Sequence, residues 1–198
     1  TVDGKPITAS VEVTVLESAG KIDAFLNNDE GGTGYYDYWI SMNDYDLRHA
    51  SAGNGMISVL SLQSGTYYDG FFYAFNDKGE VLRIDPKDTT AYTVLGASGL
   101  DVSYDQVTAM AMDYTTGTMY ALTLPCTWDY SVDAAVSRPG SLATVDLDTG
   151  KVTKIAELDM TNKVFAMAID KNGTMYVAGS ADYYTDAVLY AMDKTTGA

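Results

Sequence analysis

Cysteine and histidine are almost missing from this sequence. A single cysteine, Cys126, excludes an intramolecular disulfide framework and reads as an inert, partly buried thiol. A single histidine, His49, removes His-based zinc sites and argues against a Ser/His/Asp relay. Basic residues are scarce: 12 Lys and Arg stand against 27 Asp and Glu, for a net charge of -15. No Lys/Arg cluster offsets this locally, so neither nucleic acid nor an anionic membrane surface fits as a partner. No apolar run reaches the roughly 20 residues that a membrane-spanning helix needs, so no membrane insertion is expected. No signal-peptide pattern opens the chain. Helical periodicity is absent almost throughout.

What is present is a packed, β-rich chain. The 198 residues are 46% hydrophobic and include 16 tyrosines, which argues against disorder. Short apolar runs, alternating or continuous, are bounded by Gly, Asp, Asn and Thr. That spacing predicts an all-β fold. A repeat runs through it. Ala109-Met110-Ala111-Met112-Asp113 leads through a turn to Thr118-Met119-Tyr120, and Ala166-Met167-Ala168-Ile169-Asp170 leads through Asn172-Gly173 to Thr174-Met175-Tyr176. The copy recurs 57 residues on, from Asp113 to Asp170. Asn-Gly is a strong hairpin dipeptide because both turn positions need positive φ. A second hairpin follows each copy, at Ser141–Ile155 and from Val188 onward. An earlier one spans Glu80 to Leu95, preceded by expected strands near 57–62 and 71–75. From Asp85 to Asp146 is 61 residues, and from Asp146 to Asp193 is 47.

The unit is therefore four strands, a to d, in about 45 to 60 residues, the size of a propeller blade. Units are expected at 56–96, 107–158 and 164–198, the last without its fourth strand, with a degenerate unit at 21–50. The series resembles the diverged β-propeller-like repeats of bacterial extracellular proteins. That resemblance implies β-propeller-type four-stranded blades, three to four of them, and a secreted or cell-surface location. Residues 1–17 differ. Val11, Val13 and Val15 share one face of a period-two strand, which resembles the closing strand of a bacterial immunoglobulin-like (group 2 type) module. An edge strand of the following domain fits the same pattern. The pattern starts and stops inside strand-like runs, from which a piece of a longer, incomplete propeller is expected.

In a propeller, b-c and d-a connections share one face, where ligands usually meet the fold. The expected b-c connections are rich in aromatic and acidic residues: Asp29, Glu30, Tyr35 and Tyr36 in the first, Trp128 and Tyr130 in 124–140, and Asp182, Tyr183, Tyr184 and Asp186 in the last. Aromatic rings stack on sugar faces and supply rigid contact area in protein interfaces, while carboxylates accept hydroxyl hydrogen bonds. Tyr35, Tyr36, Trp128, Tyr130, Tyr183 and Tyr184 are the candidate ligand-binding residues; the same rings also serve to pack their own loops. Asp29, Glu30, Asp182 and Asp186 are candidate Ca²⁺ ligands, although no stretch has the spacing of a calcium loop. No other cofactor is expected. Gly31-Gly32-Thr33-Gly34 has neither the helix nor the lysine of a phosphate cradle. No Gly-x-Ser-x-Gly elbow occurs, and no carboxylate pair is marked out for hydrolysis.

The expectation is a non-enzymatic extracellular module for adhesion, or for glycan or surface-protein recognition, through Tyr/Asp-rich loops. Two other readings stand beside it. One is a fragment of a propeller-fold, polysaccharide-active enzyme with its site in the channel. The other is an architectural subunit that self-associates through an open blade edge.

Overall fold

The computed structural model describes residues 21–28, 36–43, 46–56, 62–102, 105–125, 128–129, 134–135, 139–158, 163–180 and 187–198. Side chains are described within 62–88, 90–102, 105–124, 139–158, 164–179 and 187–198. The immunoglobulin-like strand expected in 1–17 lies outside these residues. The described residues form strands and turns, with no helix among them.

β1 (Lys21–Asn28), β2 (Tyr36–Asn43) and β3 (Asp46–Met56) pair in chain order as an antiparallel sheet. β4 (Leu62–Tyr68), β5 (Phe71–Asn76), β6 (Glu80–Asp85) and β7 (Asp88–Ala97) form a four-stranded meander. The next sheet contains β8 (Asp105–Asp113) and β9 (Thr118–Pro125). A small hairpin follows, of β10 (Trp128–Asp129) and β11 (Ala134–Ala135). β12 (Ser141–Val145) and β13 (Val152–Glu157) then complete the sheet in the order β13-β12-β9-β8. The last sheet is β14 (Lys163–Ile169), β15 (Met175–Ser180) and β16 (Val188–Met192).

The first strand of the four-stranded meander is Leu62–Tyr68, and β3 runs to Met56; the strand expected near 57–62 lies, but for Leu62, outside the described residues. The strand ends at the hairpin Asp69-Gly70, whose φ values are +46° and +85°. Such a two-residue turn suits the strand twist and fixes its flanking pair, here Tyr68 opposite Phe71. The Asp-Gly dipeptide carried that signal in the sequence.

The first strands of the three later sheets lie side by side and run the same way. Near their starts, the Val107 N–H donates to Gln63 Oε1 at 3.3 Å and the Thr108 hydroxyl donates to the Val164 carbonyl at 3.0 Å. Near their ends, the Tyr114 hydroxyl donates to the Tyr67 carbonyl at 2.8 Å. Residues at like positions meet, so the sheets stack face to face around a line of inner strands.

Two apolar layers hold the stack. Between the second and third sheets in the chain, Tyr73, Phe75 and Val81 meet Val107, Met110, Met112, Met119, Ala121 and Val145. Between the third and fourth, Ala109, Leu122, Leu142 and Leu158 meet Val164, Met175, Val177 and Met192. The repeat methionines are thus inter-sheet filler, as a flexible unbranched side chain suits an irregular gap. A third cluster, Leu62, Ala74, Leu82 and Ile84, lies on the other face of the β4–β7 sheet. The strands alternate faces, and both faces of the β4–β7 and β8–β13 sheets carry buried apolar clusters. That is why they read as nearly continuous apolar runs.

Candidate functional site

The two ends of the sheets are built differently. At one end lie the turns joining first to second and third to fourth strands. They are short, and acidic side chains staple them. Asp146 Oδ1 accepts from the N–H groups of Asp148 and Thr149, both at 2.9 Å. Asp193 Oδ1 accepts from the Thr195 N–H at 2.7 Å, the Thr195 hydroxyl at 2.5 Å and the Thr196 N–H at 2.9 Å. Asp170 Oδ1 accepts from the N–H groups of Asn172 and Thr174, at 2.8 and 2.9 Å. Asp113 Oδ1 accepts from the N–H and hydroxyl of Thr115, at 2.9 and 2.6 Å. A following glycine closes the turn, with Gly117, Gly150 and Gly197 donating to the carbonyls of Asp113, Asp146 and Asp193. The repeated string Asp-x-x-Thr-Gly is therefore one device. Short polar side chains favour such self-closing turns.

This end also ties sheets together. Asp113 is fully buried, and the half-buried Lys194, in the turn after β16, donates to its Oδ2. Burial alone would raise the Asp113 carboxyl. The Lys194 ammonium, then the Thr115 hydroxyl and N–H, more than reverse this and hold it well below the usual carboxylate range. The Thr195 hydroxyl and the N–H groups of Thr195 and Thr196 bring Asp193 down to about 2. Asp146, mainly through the Thr149 N–H, and Asp88, mainly through the Thr90 hydroxyl, are lowered as well. These shifted carboxyls face turn hydrogen bonds and one ammonium, which is a structural setting.

The opposite end carries the second-to-third strand connections. In the β4–β7 sheet this is Asp77-Lys78-Gly79, held by Asn76 Oδ1, which accepts from the N–H groups of Lys78 and Glu80. In the next sheet it is the longer span between Pro125 and Ser141, containing the β10–β11 hairpin. Between β15 and β16 it is 181–187. Because the inner strands run the same way, all three leave at the same end.

A cleft of about 330 Å³ opens at that end on the β8–β13 sheet. Its walls include Leu100 from the link between sheets, Asp105, Thr123, Ser141, Ala143, Val152, Lys154 and Glu157 from the sheet, and Pro139 from the end of the long connection. Register assembles it: Ser141 stands opposite Thr123 on one side and Glu157 on the other. Thr123 is only 3% exposed. Lys154 Nζ pairs with Glu157 Oε1 at 2.8 Å on the rim. Hydroxyls, carboxylates and an ammonium in one concavity suit a small polyhydroxylated ligand or a polar peptide segment. Among the described residues, no group of three His, Cys, Asp or Glu could hold a metal ion.

Of the residues expected from sequence, Tyr36 opens β2 and Trp128 opens β10, paired with Asn28 and Ala135, and their side chains lie outside the described set. Tyr35, Tyr130, Tyr183 and Tyr184, and the candidate calcium ligands Asp29, Glu30, Asp182 and Asp186, lie outside the described residues. The cleft residues were not anticipated. Asp105, Thr123, Ser141 and Glu157 are scattered in sequence, and only strand register unites them. A signal was there: Thr123 is a hydroxyl-bearing residue between Leu122 and Leu124 in the largely apolar second half of β9.

Four-stranded antiparallel sheets, stacked face to face about aligned first strands, make this a run of β-propeller-type blades. No protein-family model matches the chain, and no curated protein matches it. Among solved structures it is similar to the tricorn protease, at 14% identity over 80% of this chain and 14% of that chain, with a TM-score of 0.41. It is similar to the Myxococcus xanthus glutaminyl cyclase at 11% identity, over 83% of this chain and 72% of that one, with a TM-score of 0.45. It is similar to YCF48, solved bound to D1 peptide, at 12% identity over 82% of this chain and 48% of that one, with a TM-score of 0.38. The chain thus spans less than two thirds of the tricorn protease and YCF48 chains.

Proposed function

We propose that this chain is a non-enzymatic recognition module of a bacterial secreted or cell-surface protein, with an immunoglobulin-like neighbour on its N-terminal side. In this reading it binds a glycan or a surface protein at the end that carries the second-to-third strand connections. The observation behind this is the asymmetry of the two ends. One is stapled by Asp-x-x-Thr-Gly turns and spent on blade-to-blade ties. The other carries the second-to-third strand connections and a cleft walled partly by hydroxyls and charged side chains. The sequence of the longest of these connections supplies Trp128 and Tyr130, and aromatic residues together with hydroxyls and charges suit the two-sided character of a sugar, an apolar ring face and a rim of hydroxyls.

The test is a glycan array probed with the wild type, with Trp128→Ala and with Thr123→Val. The expected result is binding to a limited set of glycans, reduced at least tenfold by each variant. Absence of binding to every glycan on the array would remove the glycan form of the reading. Binding that both variants retain at full strength would remove the site.

A further inference from the structure

The first-to-second turn of the last sheet differs from its earlier copy in one residue type. Asp113-Tyr114-Thr115-Thr116-Gly117-Thr118 and Asp170-Lys171-Asn172-Gly173-Thr174 both end in Gly-Thr, but only the later one sets an asparagine before it. The result is Asn172-Gly173-Thr174, an Asn-x-Thr acceptor pattern for N-linked sugar. Of the seven asparagines in the chain, Asn172 alone has Ser or Thr two residues further on.

The fold turns this pattern outward. Asp170 Oδ1 accepts from the N–H groups of Asn172 and Thr174, and the Gly173 N–H donates to the Asp170 carbonyl at 2.9 Å. Gly173 has a φ of +82° and is buried against the neighbouring turns. A Cβ there would stand 2.8 Å from Thr115 Oγ1 and 3.2 Å from Lys194 Nζ. The glycine therefore faces the protein, while Asn172 and Thr174 on either side of it are exposed. Among the described residues, none holds the Asn172 carboxamide. The acceptor amide and the hydroxyl-bearing residue two positions on thus stand together at the tip of a short hairpin.

We infer that Asn172 is an N-glycosylation site, filled by an oligosaccharyltransferase from a polyprenyl-pyrophosphate-linked glycan. Asn172 Nδ2 bonds to C1 of the first sugar and gives up one proton. The bond from C1 to the pyrophosphate oxygen breaks, and polyprenyl pyrophosphate leaves. The Thr174 hydroxyl is the second group that the transferase reads. The sugar stands at the stapled end of the sheets, opposite the end where the cleft opens, so it adds hydrated bulk without covering the cleft. The inference rests on the proposed export of the chain, which is what brings it to such a transferase.

The test incubates the purified, folded 198-residue chain with an oligosaccharyltransferase and its lipid-linked donor, then weighs the peptide that spans Asn172. A synthetic peptide of residues 166–180 is run beside it. The folded wild type is expected to gain the mass of one oligosaccharide. Asn172→Gln and Thr174→Ala should lose that gain, and Thr174→Ser should keep it. A folded chain left unmodified would overturn the inference, and modification of the synthetic peptide alone would place the cause in the rigid turn. Modification that survives Asn172→Gln would overturn it as well, as would native protein recovered from the cell surface without sugar at Asn172. The reaction in vitro needs neither export nor a ligand in the cleft, so its failure leaves the recognition reading standing. Asn172→Gln is expected to bind the glycan array as the wild type does.

Discussion

Asp113 has no solvent exposure, and the Lys194 ammonium is its cationic partner in the fold. Removing one member of such a pair leaves an uncompensated buried charge. Lys194→Met is therefore expected to destabilise by about 3 kcal/mol, read from the urea midpoint. The double variant Asp113→Asn/Lys194→Met should recover part of that loss; a purely additive double variant would show that the two residues are not coupled. The lowered carboxyls also set an acid limit. Asp88, Asp113, Asp146 and Asp193 lie below 3.8 in the fold, with Asp193 near 2. Their contribution is fully present above 3.8 and is lost as pH falls from there toward 2 and below. Urea midpoints should hold between pH 7 and 5 and drop steeply below pH 3.8, and Asp113→Asn should flatten that drop. At Gly150 a φ of +72° coincides with close approach to Gly96, whereas Gly117 has a φ of +69° and open space around it. Both substitutions to alanine meet the left-handed penalty of about 1–2 kcal/mol. Gly150→Ala should lose more than Gly117→Ala, and the difference reads the blade-to-blade contact.

Strands and turns were legible because their signals are local. The Ala-Met-Ala-x-Asp strand ends at its aspartate because that side chain closes the next turn on itself. The string Asp-x-x-Thr-Gly stands in the sequence at Asp113, Asp146 and Asp193, but the several hydrogen bonds that each aspartate accepts are visible only in the structure. Asp146→Ala is expected to speed amide exchange at Asp148 and Thr149 while leaving β8 and β9 unchanged; uniform acceleration across the sheet would mean that the turn does more than hold itself. The strand at Leu62–Tyr68 shows the limit of reading apolar runs alone, since its end is set by the Asp69-Gly70 turn rather than by an apolar run. The cleft was illegible for another reason. Thr123, Ser141 and Glu157 become neighbours only through antiparallel register, and β12 carries an irregularity between Leu142 and Ala143 that no local pattern announces.

Across the whole molecule, a net charge of -15 opposes compaction. Raising salt from low to physiological ionic strength should screen this repulsion and raise the Tm at pH 7. A Tm that falls with salt would mean that specific pairs such as Lys194–Asp113 outweigh the overall repulsion. Twist also acts at this scale. Strands rotate by about 20–25° relative to their neighbours, so a fourth strand lies steeply across the first. This brings the end of β7 to the turn after β12, where the Val152 N–H donates to the Ser98 carbonyl at 2.9 Å. By itself the sequence determined the all-β class, the repeat and the lack of any disulfide between two cysteines of this stretch, because composition and short-range periodicity carry those. Tertiary structure alone decided which face of each sheet is covered, which aspartate is buried against a lysine, and where the polar cleft opens. Those outcomes depend on register and inter-sheet packing, which join residues dozens of positions apart.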